Sequence, residues 1–414
     1  MATMISVHDA LAAVLRDIPR LGSERVGLAN ARGRVLAEAV RAGRDVPPFR
    51  NSAMDGYAVR ASDVATAAPE APVRLRVLEV VGAGSMPTRA VAPGTATKIM
   101  TGSPLPTGAD AVVRVEDTEE SGGDVVVQAR VTPGTAVREP GEDMRAGETV
   151  LDVGRVLRPA DIGLLASLGL TVVPVSRRPR VAILTTGNEL VEPGEPLGPG
   201  QIVNSNAYTL AAAVEDAGAE AIRLGIVRDQ QECIRAAFAD AFTADMMLST
   251  GGVSVGSFDF VRQTLSELGY EERFWKVAQK PGKPLTFGLR QGTPAFGLPG
   301  NPVSTLVCCY LYVVPALRTM MGMERIHLPH IEATLASEVT TAAGLTEFVR
   351  CVVTRIGPTY EVQPTGSQSS GVLRSLSAGE GLLIAPPEQQ TIARGASVRV
   401  IVLGNDGTSA VAPF

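Results

Sequence analysis

The segment from residue 245 to residue 304 concentrates the residues that could hold an anionic ligand. It opens with the apolar run DMMLST, which predicts a buried strand, and continues into the glycine-rich loop of residues 251–256. The run FVRQTLSELG then has apolar residues at helical spacing and ends in glycine, so a helix is expected. A strand, a glycine loop and a helix are typical of an anion site, because the helix N-terminus presents free N–H groups. Asp259, at the edge of the loop, would either cap the helix or hold a cation that bridges to phosphate.

Two stiff turns follow within the same segment. Lys280 and Lys283 flank a Pro-Gly pair, and the run LPGNPVS ends a strand and begins an apolar helix, with Pro302 at its first position. Rigid turns at strand ends are where open α/β sheets hold ligands. Each of the three loops alone is better explained as a tight turn. Together, with Asp259, two lysines and Ser304, they favour a site for an anionic ligand.

Composition limits the classes of protein and of partner. The chain has 414 residues, 45% of them hydrophobic and 20% charged, and its length predicts about two to four globular domains. A net charge of −5 gives no general attraction to nucleic acid or membranes, so local lysines and arginines must hold any anion. The N-terminus lacks the pattern of a signal peptide, and the longest apolar run, residues 306–317, predicts a buried helix. The four cysteines have neither zinc-site nor redox spacing, so reduced thiols in the cytoplasm are expected.

Polar residues in other loops could also do chemistry. The run NSAMDGYA places Asp55 in a polar cluster too dense for plain turn chemistry, and Thr101 follows an apolar pair. Glu189 lies just after the near-continuous apolar strand RVAILTT, at the carboxyl end where ligands are expected. Asp229 begins a pattern like a capping box, and residues 138–143 form a charged turn. From the residues alone, we interpret these last two as a helix cap and a solvated turn.

The apolar pattern changes along the chain, which indicates several structural units. Ser6 is expected to cap an N-terminal helix, and the run RVLAEAV at residues 34–40 predicts a short helix. Residues 73–140 read as short alternating strands, typical of a small β domain. From Arg180 strands alternate with helices, and from about His327 only short strands remain, which favours a compact, barrel-like β domain.

These motifs closely resemble the MoeA and gephyrin E-domain family of molybdopterin molybdenumtransferases. The resemblance is carried by GGVSVGSFD, WKVAQKPGKPLTFG, FGLPGNPVS, SAMDGYA, MTGSPLPTGADAVV and PGEDMRAGE, and by a Gly-x-Gln-x-Ser segment at residues 366–370. Matches run from about residue 6 to residue 400. The chain departs from many relatives at Arg50 and Asn188, where they often have aspartate.

The resemblance implies a multidomain fold of α/β and β type. Its parts are an elongated linking domain (residues 23–50 and 141–177), a small inserted β domain (51–140), a MogA-like α/β molybdopterin-binding domain with a mixed sheet (1–22 and 178–326), and a C-terminal β-barrel-like domain (327–414). The implied reaction is the final step of molybdenum cofactor biosynthesis, in which adenylylated molybdopterin and molybdate give the cofactor and AMP. Mg²⁺ is the implied cofactor. The implied assembly is a homodimer whose site is shared between subunits, and other molybdenum cofactor biosynthesis proteins stay open as partners.

The resemblance also implies roles for individual residues. The implied catalytic residues are Asp55, Thr101, Asp143, Glu189, Asp229 and Asp259. The last three can hold the metal, although which of them do so and which orient the attacking oxygen is left open. The implied substrate-binding residues are Arg138, Gly251, Gly252, Ser254, Gly256, Lys280, Lys283, Pro299, Gly300, Asn301, Pro302, Ser304, Arg350 and Ser370. Five of these would surround the oxyanion: Lys280, Lys283, Ser304, Arg350 and Ser370.

Three alternative functions stay open at this stage. The first is adenylyl transfer to molybdopterin, whose enzymes share the α/β domain but lack the SAMDGYA and C-terminal domains. The second is a paralogue that prefers tungsten or another anion. The third is a non-catalytic scaffold, which the intact set of carboxylates disfavours.

Overall fold

The structure is a computed structural model that describes residues 4–251 and 258–403, apart from the side chains of residues 258–260 and 262. Its centre is a six-stranded mixed sheet. The strands are β1 (Arg180–Thr186), β2 (Glu220–Val227), β3 (Met246–Thr250), β4 (Tyr270–Trp275), β5 (Thr286–Arg290) and β6 (Thr293–Leu298). They lie in the order β2-β1-β3-β6-β5-β4; the first four are parallel, and β5 and β4 run antiparallel to their neighbours.

Apolar cores cover both faces of this sheet. Along β1, Val181 and Ile183 belong to one core cluster, whereas Ala182 and Leu184 belong to another. A strand buried on both faces needs apolar residues at nearly every position, which explains the run RVAILTT and confirms the expected covered sheet. The helices of this region are Asn206–Asp216, Gln231–Ala241, Phe258–Glu267 and Pro302–Met320.

The helix Pro302–Met320, hereafter the Pro302 helix, contains a π-helical turn at Cys309–Val313. By length and composition alone this helix could cross a membrane, but 78% of its most apolar 18-residue stretch is buried inside the protein. The N-terminal helix Val7–Asp17 packs in the same core cluster. As expected, Ser6 caps this helix, and its hydroxyl accepts a 3.1 Å hydrogen bond from the backbone N–H of Asp9.

The residues on either side of the inserted sheet form short antiparallel pairs and one helix. Ser23–Gly27 pairs with Val172–Ser176, Val40–Arg41 pairs with Thr149–Leu151, and the helix is Pro159–Ser167. The helix expected over residues 34–40 is wrong. Val35 bridges Val156, Leu36 bridges Val175, and both side chains are buried, so backbone partners distant in sequence fix an extended chain here. These tertiary contacts outweigh the local helix propensity.

The inserted segment folds into a second six-stranded sheet, in which parallel and antiparallel pairs are mixed. Its strands are Gly56–Val59, Val73–Val81, Thr95–Ile99, Ala111–Arg114, Thr118–Ser121 and Asp124–Val127. Beside it, Asn51–Ser52 pairs with Val137–Arg138. Single helical turns lie at Leu28–Asn30, Ala61–Val64 and Val115–Asp117.

The C-terminal segment is a closed β structure. Its ring consists of His330–Leu335, Thr346–Ile356, Thr359–Pro364, Gly381–Ala385 and Ser397–Val402. The long strand Thr346–Ile356 pairs with both of its ring neighbours, which closes the ring and confirms the expected barrel-like shape. The short strand Gln279–Lys280 adds to the same long strand and ties the barrel to the α/β region. Smaller elements are the pairs Val339–Thr340 with Thr391–Ile392 and Leu190–Val191 with Ile202–Val203, and the helix Arg374–Ser377.

Candidate active site

A cavity of about 950 Å³ opens at the carboxyl edge of the central sheet. Parallel neighbours end at the same edge, so β1, β3 and β6 place their last residues side by side around it. The turn of residues 280–283, hereafter the lysine turn, borders the cavity from one side through Lys283, and Gly371 borders it from the C-terminal barrel. Predicted site residues that line it are Glu189, Gly251, Lys283, Pro299, Gly300, Asn301, Pro302 and Ser304.

Gly251, directly after β3, is a position that only glycine can occupy. Its φ is +89°, and a Cβ there would lie 2.2 Å from the carbonyl oxygen of Thr186 at the end of β1. The buried Thr186 hydroxyl has no hydrogen-bond partner among the described residues. The backbone of neighbouring strand ends is therefore packed as closely as the predicted anion loop requires. The other loop residues, Gly252, Ser254 and Gly256, lie outside the described residues. Asp259 is in the first turn of the helix Phe258–Glu267, and its side chain is not described.

Asn206 clamps two strand ends together, a role that the sequence analysis missed. Its side-chain amide donates to the Thr250 hydroxyl at 3.0 Å and to the Gly300 carbonyl at 2.8 Å. Thr250 in turn donates to the carbonyl of Pro299 at 2.9 Å. The turn of residues 299–302, which lines the cavity, is thus tied by hydrogen bonds to the end of β3 and to Asn206. The run SNAYTLAAAVEDAG, residues 205–218, predicts a helix that ends at Gly218, and the asparagine at its start was the signal available for this role.

Glu189 and Asp229 follow the neighbouring strands β1 and β2, where they form an exposed acidic pair. Partial desolvation, and then the charge of Glu189, raise the pKa of Asp229 above its ordinary value. The expectation that Asp229 caps a helix is wrong. The helix begins at Gln231, and Gln230 occupies its N-cap without a side-chain hydrogen bond. A carboxylate that is free of capping and repelled by a second one is suited to holding a cation between them.

The donor chemistry of this pair fits Mg²⁺, which prefers carboxylate oxygens. Among the described residues no group of three or more His, Cys, Asp or Glu side chains could hold a metal ion. The third predicted ligand is Asp259, whose side chain lies outside that description. The set of three metal ligands therefore stays a prediction, of which two members are brought to one edge of the sheet.

The two lysines of the turn have different surroundings. Lys283 is exposed and lines the cavity. The Nζ atom of Lys280 lies 3.2 Å from a carboxylate oxygen of Glu347, on the first residues of the long barrel strand, and Lys280 is not part of the cavity wall. Lys276 does line the cavity and was not assigned a role from the sequence. Its ammonium lies 3.8 Å from the ring centroid of Trp275, and its φ of +71° is unusual for a residue other than glycine.

Arg350 supports a loop instead of lining the cavity. It is 2% exposed, and its guanidinium donates to the Ser375 hydroxyl at 3.2 Å and to the carbonyls of Ser367 and Ser369 at 3.4 and 3.2 Å. Burial lowers the pKa of Arg350. These bonds hold the loop of residues 366–370 in place.

Ser370 meets the beginning of the Pro302 helix. Its carbonyl accepts from the backbone N–H of Val303 at 3.2 Å, and its hydroxyl accepts from the Asn301 side chain at 3.0 Å. The C-terminal barrel therefore contributes directly to this end of the cavity.

The remaining predicted residues form a separate, exposed group. The backbone N–H and hydroxyl of Thr101 donate to one carboxylate oxygen of Asp55, at 2.7 and 2.8 Å, and together these two bonds lower the pKa of Asp55. Arg138 pairs through its backbone with Asn51, and the N–H of Asp143 donates to the Val46 carbonyl at 3.0 Å. None of the four predicted residues lines the cavity described above. Within one chain, the predicted site residues therefore lie in two groups: those at or near the cavity, and this exposed group.

Three family models account for most of the chain. Residues 5–169 match the MoeA N-terminal region (domain I and II), residues 182–319 match the probable molybdopterin binding domain, and residues 332–403 match the MoeA C-terminal region (domain IV). The chain is also 41% identical over 381 residues to molybdopterin molybdenumtransferase 2 of Mycobacterium tuberculosis, an alignment that covers 91% of the chain and 94% of that relative.

The chain belongs to the MoeA family. Family members with this extent of similarity include molybdopterin molybdenumtransferase of Bacillus subtilis, 36% identical over 412 residues, with 98% of the chain and 96% of that relative covered. Among solved structures, the MoeA protein from Pyrococcus horikoshii matches with a TM-score of 0.83 and 33% identity, covering 97% of the chain and 100% of that structure. The MoeA family resemblance and the multidomain fold expected from the sequence are thereby confirmed.

Proposed function

We propose that this protein is a molybdopterin molybdenumtransferase, which transfers molybdate to adenylylated molybdopterin and releases AMP. The observation that carries the proposal is similarity over nearly the full length to relatives of that name, at up to 41% identity among those compared. All three family regions are present, including the N-terminal and C-terminal regions that surround the α/β domain.

The cavity has the size and the donors that this substrate needs. Its volume of about 950 Å³ is at the upper end of the range for small-molecule sites. The pyrophosphate of the substrate needs N–H donors and positive charge, and the backbone of Gly251, the first residue of the predicted anion loop, lies at the cavity wall. An oxygen of water or molybdate attacks phosphorus in this reaction, so no side-chain nucleophile is required.

We place molybdate between the lysine turn and the start of the Pro302 helix. Each oxygen of this dianion only accepts hydrogen bonds, so its site must consist of donors and positive charge. Lys283 and Ser304 line this part of the cavity, and the N-terminus of the helix adds a favourable dipole. Ser370 closes the site from the barrel, and Arg350 acts by holding the loop that carries Ser370. Lys280 contributes through its ion pair with Glu347.

Glu189, Asp229 and Asp259 would hold Mg²⁺ in this proposal. When bound, the ion supplies positive charge that neutralises the pyrophosphate and the leaving AMP. The chain's own contribution is to fix two of the carboxylates at adjacent strand ends, where their repulsion favours a shared cation.

The two groups of predicted residues support a homodimer in which each site is shared. Asp55, Thr101, Arg138 and Asp143 are all exposed, and a carboxylate like Asp55, kept ionised by two donors, is available to a neighbouring molecule. A second subunit would place this group against the cavity. The cytoplasmic location and the domain boundaries stay predictions from the sequence.

Lys283→Ala tests the molybdate site. Loss of one charge-assisted contact should raise the molybdate concentration needed for half-maximal AMP release by roughly 10- to 100-fold. Binding of adenylylated molybdopterin should change far less. Steady-state kinetics with each substrate varied in turn will measure both values.

Two further lysines make the test specific. Lys280→Ala should have the smaller effect, because Lys280 is paired with Glu347 and does not line the cavity. Lys98→Ala, which removes a lysine from the inserted sheet, should have none. Equal weakening of both substrates by Lys283→Ala would move this residue to the phosphate site, and no weakening of either would remove it from the site.

A further inference from the structure

A buried polar cluster lies between the lysine turn and the Pro302 helix. Its members are Gln279, Cys308 and Tyr312, each 0% exposed. None of them lines the cavity or touches the exposed group around Asp55. Buried polar side chains are costly unless their hydrogen bonds are satisfied, so a cluster of this kind inside an apolar core calls for an explanation.

The hydrogen bonds of this cluster converge on the turn. The side-chain amide of Gln279 donates to the carbonyls of Pro281 and Gly282, at 3.1 and 3.4 Å. The thiol of Cys308 donates to the same Gly282 carbonyl at 3.6 Å. Both carbonyls at the centre of the turn are thus held from inside the protein.

Tyr312 orients the amide that makes these bonds. Its hydroxyl donates to the Gln279 side-chain oxygen at 2.5 Å. Because the oxygen of the amide is engaged there, its NH₂ group must face the turn. Tyr312 lies in the π-helical turn Cys309–Val313, and such turns are frequent at functional sites.

The turn packs so closely against the cluster that a side chain larger than glycine does not fit at residue 282. Gly282 has a φ of +96°, and a Cβ there would lie 2.4 Å from the sulfur of Cys308 and 2.6 Å from the amide nitrogen of Gln279. The turn therefore packs directly against the helix at Gly282, and the hydrogen bonds hold it in this position.

The same helix that fixes the turn also carries a residue of the cavity wall. Ser304 is one helical turn before Cys308, and it lines the cavity together with Lys283 at the end of the lysine turn. The cluster consequently sets the separation between the Lys283 ammonium and the donors at the start of the Pro302 helix. Displacement of catalytic or binding groups by about 1 Å is enough to change rates by orders of magnitude.

We propose that Gln279 and Tyr312 are positioning residues for oxyanion binding. They act through the turn and the helix, without touching the ligand, and they preorganise Lys283 against Ser304. The proposal rests on the proposed function in one respect, namely that the oxyanion is molybdate. A purely structural role would give the cluster an effect on stability only.

Tyr312→Phe and Gln279→Leu test the proposal, with Val313→Ala as the matched control. Val313 is 0% exposed on the same helix but makes no bond to the turn, so its truncation lowers stability alone. Tyr312→Phe should raise the molybdate concentration for half-maximal AMP release about 3- to 10-fold, and Gln279→Leu should raise it further, with the rate at saturating molybdate within about twofold of wild type. Val313→Ala should leave that concentration unchanged.

A second readout does not depend on the activity. Hydrogen–deuterium exchange of the ligand-free protein should be faster across residues 280–285 in Tyr312→Phe than in Val313→Ala at equal distance below each melting temperature. Unchanged exchange overturns the proposal, as does a molybdate requirement equal to that of the control. If the wild-type protein releases no AMP in response to molybdate, the proposed function fails, and the exchange result alone then decides whether the cluster positions the turn.

Discussion

Replacing Asp229 with asparagine should lower molybdate-dependent AMP release by about 100-fold or more without lowering the melting temperature. Asparagine keeps the size of the side chain and removes its negative charge. Asp229 does not cap the helix that follows it, so loss of its charge removes no capping hydrogen bond. The change also relieves the repulsion between Asp229 and Glu189, so the fold should not be destabilised. The activity falls because one of the carboxylates that would hold the cation on the pyrophosphate is gone.

Glu232→Gln provides the matched control, since Glu232 is an exposed acid in the first turn of the helix that follows Asp229 and is not one of the three proposed metal ligands. It should retain wild-type turnover and the wild-type Mg²⁺ requirement. Asp259→Asn should behave like Asp229→Asn. Wild-type activity in Asp229→Asn would exclude Asp229 from the metal site, whereas a parallel loss of melting temperature and activity would indicate a structural role instead.

Mixing two inactive variants, Asp55→Ala and Asp259→Ala, should restore activity. If each site takes Asp259 from one subunit and Asp55 from the other, a hybrid dimer contains one intact site and one doubly altered site. Random exchange would then return roughly one quarter of the wild-type activity. The physical basis is the division of the predicted residues, since the exposed Asp55–Thr101 pair does not line the cavity.

A mixture of Asp55→Ala with Asp143→Ala is the control for this experiment. Both residues belong to the exposed group, so every hybrid site would lack one of them and no activity should return. Native mass spectrometry of the mixture, with one variant isotopically labelled, will show whether subunits exchange. Exchange without recovery of activity in the first mixture would contradict the shared site.

The central sheet and its loops were predictable because their patterns are local. The run RVAILTT predicts a strand buried on both faces, and the apolar run after Pro302 predicts a buried helix. Neither prediction needs information from distant parts of the chain. The tight turn at Gly251 likewise follows from a single residue type, and the structure supplies its reason in the 2.2 Å approach to Thr186.

The predictions that were wrong or missing concern residues whose conformation or contacts depend on partners distant in the sequence. Residues 34–40 have the composition of a helix but are held extended by Val156 and Val175. Asp229 has the spacing of a cap, yet the helix begins two residues later. Asn206 and Lys276 acquire their places at the cavity only when separate strand ends come together. Spacing along the chain carries no information on such contacts.

The most direct test of the account is to incubate the purified full-length protein with adenylylated molybdopterin and Mg²⁺, and to measure AMP release with and without molybdate. The proposed function predicts AMP release that rises with molybdate concentration, saturates, and is matched by the formation of cofactor able to activate a cofactor-free molybdenum enzyme. ATP consumption with molybdopterin as acceptor, or no release of AMP at any molybdate concentration, would contradict it.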